Sequence, residues 1–439
     1  MKIFNYPSAT AMNQLSAIIN RRIDFNTNDY EHVKQILYDI HKNRDAALIK
    51  YVNQFDSPDL TIASLKVTDA ELEIADSVID DVFHQSLQKA VSQIKSFHQR
   101  QLPDSWITTK RSGTLLGQLA RPVDAAGVYV PGGQRGTTPL VSSVLMGVIP
   151  AKIAGVKQII MVTPAGKNGT VSPHLLFAAR MAGVDSIYKV GSAWAIGALA
   201  YGTETITKVD VIVGPGNIYV TLAKKIVSGT VGIDMVAGPS EIMVIADHTA
   251  DPEFIAADLL SQAEHDILAS SILVTTSLKT AEKVSKAVDE QLRHLCRRDI
   301  ATLSLENYGA ILVTPDLAAA FDIANQVAPE HLELQIQNPI DYLGEIRNAG
   351  AVFLGSYTPE PVGDYIAGPN HVLPTAGSAR FSSALSVDNF IKKISLIQYS
   401  REAFERDADD IIRLAEAEGL GAHANSIKIR NQRNRKNSE

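Results

Sequence analysis

The sequence predicts an α/β protein made of two doubly wound, incomplete Rossmann-like parallel-sheet domains, with a helical arm before them and a helical tail after. Three observations carry this reading. Between residues 126 and 240, short apolar runs end in glycine turns that lead into helical stretches, the pattern of parallel strands joined by crossover helices. The same rhythm returns between residues 241 and 354. A chain of 439 residues is also too long for one ordinary core, and its 45% hydrophobic, 20% charged composition has apolar mass enough for more than one.

In chain order, residues 1–25 read as an N-terminal arm carrying a helix, closed by the turn-rich joint Asp24-Phe-Asn-Thr-Asn-Asp29. Tyr30 to about Arg100 is helical, with amphipathic runs such as Val82 to Ile94. His84 and His98 are read there as surface residues of helices. Gly127-Val-Tyr-Val130 is a strand, followed by the glycine loop Pro131–Pro139 and a helix-like run. Ile159–Val162, Ser186–Val190 and Val209–Val213 are further strands, alternating with helices over His174–Met181, Trp194–Leu199 and Leu222–Val227. In the second half, Glu241–Ile245 precedes a helix opened by Asp251 as N-cap and Pro252 at its first position. Ser271–Val274 precedes the helix Thr280–Leu295. Ala310–Val313 precedes the helix Leu317–Val327, which Pro329 stops, and Ala351–Leu354 ends the series. Beyond Ser386 the chain reads as helical and finishes in a basic tail, Lys428–Lys436, expected to be solvated and disordered. The boundaries that follow are 26–125 plus 241–385 for a larger domain, 126–240 for a smaller one, and 386–439 for a C-terminal helical segment.

Composition removes several function classes. A net charge of −7 leaves no broad basic surface for nucleic acid. One cysteine, Cys296, rules out a disulfide framework and a cysteine metal cluster. Met1-Lys-Ile-Phe-Asn-Tyr-Pro7 has no secretory-signal pattern, and the most apolar region, Val141–Val162, is broken by Pro150, Lys152 and Lys157. A cytoplasmic protein with no membrane partner is expected.

Several stretches are candidates for chemistry. Gln262 and His265 lie three apart near a helix exit and share a face. Alone they are either a solvated helix end or part of a site for a metal or polar ligand. Gly132-Gly133 and Gly214-Pro-Gly-Asn217 follow strands and precede helices, where backbone N–H groups can receive a phosphate. Neither is the GxGxxG fingerprint, and strand ends need glycine turns for other reasons. In Ala328-Pro-Glu-His-Leu332 the proline leaves Glu330 and His331 on a fixed loop. They are either a base pair for proton transfer or a helix-terminal acid beside a surface histidine. The rigid loop Glu360–Pro374 offers Asp364 and His371, and Glu416–His423 sets Glu418 and His423 on either side of a glycine-broken helix end. A glutamine, two histidines and an aspartate form a ligand set without sulfur, suited to zinc, with manganese second.

Asp234-Met-Val-Ala-Gly-Pro-Ser-Glu241, Leu259-Leu-Ser-Gln-Ala-Glu-His-Asp266, Ala328-Pro-Glu-His-Leu-Glu333, Pro361–Thr375 and Ala415–His423 together resemble histidinol dehydrogenase, in family order over nearly the whole chain. The resemblance implies a zinc-dependent, NAD-linked enzyme that oxidises L-histidinol to L-histidine through the aldehyde in two hydride transfers. By motif, Gln262, His265, Asp364 and His423 would bind one zinc per subunit, which anchors the substrate's imidazole and amine. Glu418 would pair with the substrate ammonium, and Ser240 and His331 would complete its pocket. His331 would be the base for alcohol oxidation, and Glu330 would activate the water for aldehyde oxidation. Tyr129 and Asn217 match NAD contacts. Residues 126–240 become the NAD-binding domain, and the larger domain carries most of the zinc and substrate site. The family is homodimeric, so 386–439 is expected to pack on the partner, with sites shared between subunits.

Two departures stand out. Where relatives commonly read Gly-Gly-Ala-Gln-Ala, this chain has Gly191-Ser-Ala-Trp-Ala195. Trp194 cannot accept a hydrogen bond through its side chain, so it either stacks on an adenine or fills space. The Pro131–Pro139 loop is longer than in many relatives, and Arg135 is placed to approach a cofactor phosphate, which bears on NAD against NADP. The alternative readings are a related zinc/NAD enzyme for another primary alcohol, a zinc hydrolase with Glu330 as base, and a non-catalytic binding protein. Many aldehyde oxidations pass through a cysteine thiohemiacetal, but the lone Cys296 lies in an unpromising surface stretch. Cys296→Ser is therefore expected to keep full activity in both oxidation steps, and a selective loss of the aldehyde step would overturn that route.

Overall fold

The computed structural model describes residues 1–21, 27–132 and 139–436, with side chains described to residue 433. Most of the joint at Asp24 and the Arg135 loop lie outside the described residues. The chain forms two units, the first from Met1–Leu102 and Val123–Phe390, the second from Pro103–Pro122 and Ile391 onward.

The first unit holds two parallel sheets. The smaller has five strands, in the order Ser186–Lys189, Gln158–Thr163, Ala125–Tyr129, Val211–Val213, Gly232–Ile233. The larger has six, in the order Ile3–Asn5, Gly309–Val313, Ser270–Thr275, Glu241–Ala246, His331–Gln335, Ala351–Leu354. Apart from Ile3–Asn5, both sheets run third, second, first, fourth, fifth in chain order, so the similar rhythm of the two halves reflects one topology used twice. Buried parallel strands explain the apolar runs: Glu241–Ala246 and Ser270–Thr275 are buried at every position. Ile242 and Val244 face a core with Leu259, while Met243 and Ile245 face one with Leu332 and Phe321.

Helix ends follow the capping rules. The Asp251 carboxylate accepts from the Glu253 N–H at 2.9 Å, with Pro252 first in the helix Pro252–Ala263. Thr68 and Glu71 form a capping box at Asp69–Val78. Helices Thr27–Tyr51, Ser192–Tyr201 and Ile218–Val227 share a core with one face of the smaller sheet.

Several elements differ from the sequence reading. The N-terminal arm contributes an edge strand, with Ile3 opposite Ile311. His98 is fully buried rather than on the surface, its Nδ1 2.6 Å from Gln101 Oε1. Beyond Ser386 the chain first forms the strand Ile391–Tyr399, antiparallel to Thr114–Pro122, which also pairs Trp106–Thr108. This sheet belongs to the second unit, with the helices Arg401–Ala417 and Gly421–Lys436. The basic tail is helical to Lys436. Cys296 is exposed and lies between the helices Leu278–Leu292 and Arg298–Tyr308, not inside one. Among the described residues no helix is long and apolar enough to cross a membrane.

Leu332 is fully buried on a central strand, so Leu332→Ala should lower unfolding free energy by about 2–5 kcal/mol. Val82 is exposed, and Val82→Ala should stay within about 0.5 kcal/mol. Urea unfolding midpoints check both.

Candidate active site at the amino ends of the larger sheet

Glu241 opens its strand, and His331 opens the neighbouring one, opposite Ile242. The helix Leu317–Val327 closes on Ala328 in the left-handed region, φ 51° and ψ 61°, which non-glycine residues seldom adopt. That turn, with Pro329, aims Glu330 at the start of the strand. On the other side, Gly350 N donates to Pro329 O and Ala351 N to Glu330 O, both at 2.9 Å. A Cβ at Gly350 would lie 2.5 Å from Glu330 O, so the close approach needs glycine. Glu330 thus stands at a strand entrance and His331 within a central strand, not on the loop the sequence suggested.

Both side chains are held by one residue's main chain. Glu330 Oε2 accepts from the Glu241 N–H at 3.0 Å, and His331 Nδ1 lies 3.0 Å from Glu241 O. A carbonyl only accepts, so Nδ1 carries the proton and Nε2 is left bare in the neutral ring. Nε2 faces Glu360 Oε1 at 3.7 Å. Burial dominates the electrostatics. It raises Glu330 well above the usual carboxylate range; the Glu241 N–H opposes this, while the Glu360, Glu241 and Asp364 carboxylates add to it. Burial pulls His331 down to about 4 against the Asp364 charge. Burial, then Asp364, pushes Glu360 up to about 8.

His331, Glu360 and Asp364 bring donor atoms within 4.8 Å of one another. Burial raises the Asp364 pKa, but His371, His331 and His265 outweigh it and hold Asp364 below its usual range; His371 Nδ1 is 3.8 Å from Asp364 Oδ1. His265 keeps exposed surface, yet desolvation lowers it, opposed by Asp364 and Glu264. Gln262 is completely buried, and neither its amide oxygen nor its nitrogen has a hydrogen-bond partner among the described residues. A buried amide without partners is costly, and a bound cation would satisfy the oxygen. The donors at Gln262, His265 and Asp364 therefore fit a metal. Glu418 and His423 belong to the second unit, where both are exposed around the break between its two helices.

The smaller sheet presents its carboxyl ends. Gly214, at φ 114°, lies so close to Tyr129 O that a Cβ would be 2.1 Å away. Its N–H donates to Asp234 Oδ2 at 2.8 Å, and its carbonyl accepts from Lys224 Nζ at 2.9 Å. Lys224 also pairs with Asp234 in the interior. Asn217 Oδ1 caps the next helix by accepting from Tyr219 and Val220, leaving its exposed NH₂ as the group for a ligand. Tyr129 is buried, and its hydroxyl accepts from Ser192 N at 3.2 Å. A cavity of about 170 Å³ joins Gly214, Gly216 and Lys224 to Ser240, Glu330 and His371.

Trp194 fills space. It is buried between Phe55, 5.3 Å away, and Tyr51, 6.0 Å away, in near-parallel stacks. Its indole N–H donates to Asp56 Oδ2 at 2.9 Å, and Gly191 N donates to the same oxygen at 3.0 Å. Sequence reasoning missed Asp56, Glu241 and Glu360. Only Glu360 carried a signal, as the acid heading the rigid loop that holds Asp364; the other two act through contacts 138 and 89–90 residues away.

The family model described as histidinol dehydrogenase matches residues 20–431. The chain is 54% identical to "Histidinol dehydrogenase" of Desulfotalea psychrophila, over 95% of this chain and 96% of that one. It is 55% identical to the protein so named in Carboxydothermus hydrogenoformans, over 91% and 93%. The crystal structure of histidinol dehydrogenase from Elizabethkingia anophelis superposes with a TM-score of 0.92 at 39% identity, covering 98% of each chain.

Trp194→Phe keeps a stacking ring and removes the donor to Asp56, whose carboxyl burial already pushes up to about 6. The loss of that hydrogen bond should cost about 1–3 kcal/mol of unfolding free energy, measured by urea denaturation.

Proposed function

The chain belongs to the histidinol dehydrogenase family, and on that footing we propose that Glu330 and His331 divide the proton transfers of its reaction. Its activity is that of an NAD-dependent oxidoreductase in the last steps of histidine biosynthesis. The finer reading is oxidation of L-histidinol to L-histidine through L-histidinaldehyde, with a hydride passing to NAD in each of two steps. In the first step the substrate hydroxyl gives its proton to His331 Nε2 as the carbon loses hydride. In the second, Glu330 takes a proton from the water that adds to the aldehyde, and the resulting hydrate loses hydride to a second NAD. The observation that carries this is the double anchoring on Glu241, which supports a bare Nε2 beside a desolvated carboxylate.

Gln262, His265, Asp364 and His423 would hold one zinc per subunit, which supplies an anchor for the substrate's imidazole and amine. The orphaned Gln262 amide supports that choice over the His331, Glu360 and Asp364 grouping, because His331 is already committed to Glu241. Ser240, Glu418 and His331 would line the substrate. Tyr129 and Asn217 would meet NAD on residues 126–240, while 26–125 with 241–385 carries most of the zinc and substrate site. We assign Glu418 and His423 to the partner's site in a homodimer. Inactive His331→Ala and His423→Ala subunits should then regain part of their activity as mixed dimers, and verified mixing without recovery would remove that assignment.

The direct test is NADH formed per L-histidinol consumed. Two per substrate, lost on chelation and restored by zinc, is expected; turnover of another alcohol instead would remove the substrate. Glu330→Gln should lower the aldehyde step by about 10²–10⁴-fold and spare alcohol oxidation. The base must be unprotonated and burial raises its pKa, so the aldehyde step should gain rate with rising pH along a limb above the ordinary carboxylate range. His331, at about 4, is already unprotonated there. A limb at ordinary carboxylate pH would contradict the role of Glu330.

A further inference from the structure

We propose that the buried Arg21–Glu241 ion pair is a positioning device for Glu330 and His331, acting through the main chain without touching substrate. This rests on the roles assigned above to those two residues. Arg21 follows the helix Ala9–Ile19, and its Nη2 lies 2.8 Å from Glu241 Oε1. The two side chains are only 1% and 6% exposed. The guanidinium also sits 5.5 Å over the Tyr308 ring, and its Nη1 donates to Ile18 O at 3.4 Å. Glu241 is therefore held by its side chain, while its N–H carries Glu330 and its carbonyl carries His331.

Stability alone is a poor reason for this arrangement. Two charges taken out of water lose hydration that their attraction often only matches, and apolar replacements are frequently as stable. Here Arg21 Nε and Glu241 Oε2 have no hydrogen-bond partner among the described residues, so the pair is not fully satisfied. What it does supply is a directional restraint at a strand start, where a small shift of one peptide loosens both hydrogen bonds at once. Proton-transfer groups tolerate displacements of only about 0.5 Å. The segment leading into Glu241 is fixed elsewhere as well: Asp234 pairs with Lys224, and the Gly238 N–H donates to Thr375 Oγ1. Arg21 closes the last free end.

The test separates stability from activity. Arg21→Met and Glu241→Met each leave one buried charge unpaired, and should lower both Tm and kcat, the latter at least tenfold in both steps. The double variant Arg21→Met/Glu241→Met should recover Tm while kcat stays at least tenfold low and KM for L-histidinol stays within threefold. Arg21→Lys, which keeps the charge, should restore most of kcat and covers the case in which single Met variants do not fold. If kcat returns with Tm in the double variant, or folded Arg21→Met keeps kcat within twofold, the proposal fails. Glu330→Gln and His331→Asn are run alongside. If they retain both steps, the assigned roles fail; if they lose them while the Arg21 variants do not, only the positioning role is lost.

Discussion

The register between Glu241–Ala246 and His331–Gln335 is the constraint from which the site follows. It sets His331 opposite Ile242 and leaves Glu241 one residue beyond the pairing, so that Glu241's main chain faces Glu330 and His331 together. Side chains alternate along a strand, and a slip of one residue would send His331 to the opposite face. The apolar cores on both faces, with Ile242 and Val244 on one and Met243 and Ile245 on the other, make that slip prohibitive. Hydrophobic packing thereby specifies the placement of a polar pair to within hydrogen-bond tolerance.

The site also shows how two similar sheets can be used differently. Open parallel sheets ordinarily bind ligands beyond the carboxyl ends of their strands. The smaller sheet presents Tyr129 and the Gly214 turn in that way. The larger sheet offers its amino ends instead, at Glu241 and His331. The 170 Å³ cavity from Gly214 to Glu330 is where these two edges meet, and the run from Asp234 to Glu241 is the covalent link between them.

Much of the fold was legible because its signals are local. Glycine turns after apolar runs marked nearly every parallel strand, and Asp251-Pro252 marked a helix start correctly. The strand His331–Gln335 was hidden because Glu333 and Gln335 make it look half-solvated. Both are in fact buried, with Gln335 Nε2 donating to Asp258 at 2.7 Å and to Glu333 at 3.2 Å. The strand Ile391–Tyr399 was missed because its partner, Thr114–Pro122, lies far back in the chain. Candidate site residues were named from motifs, and the structure brings His265, His331, Asp364 and His371 into one electrostatic neighbourhood. Glu241 carries no such signal: its contribution is made by a peptide group, and any side chain supplies one.

The stacked indole at Trp194 has an optical consequence. The chain has two tryptophans, and they fall one to each unit: Trp194 buried between Tyr51 and Phe55, Trp106 half exposed on the antiparallel sheet. One emitter sits in an apolar, water-excluded stack beside a carboxyl group, and the other is wetted. Their emission therefore separates by wavelength and by access to a soluble quencher. The protein carries a native spectroscopic label in each unit, able to report whether the two lose structure together or in turn.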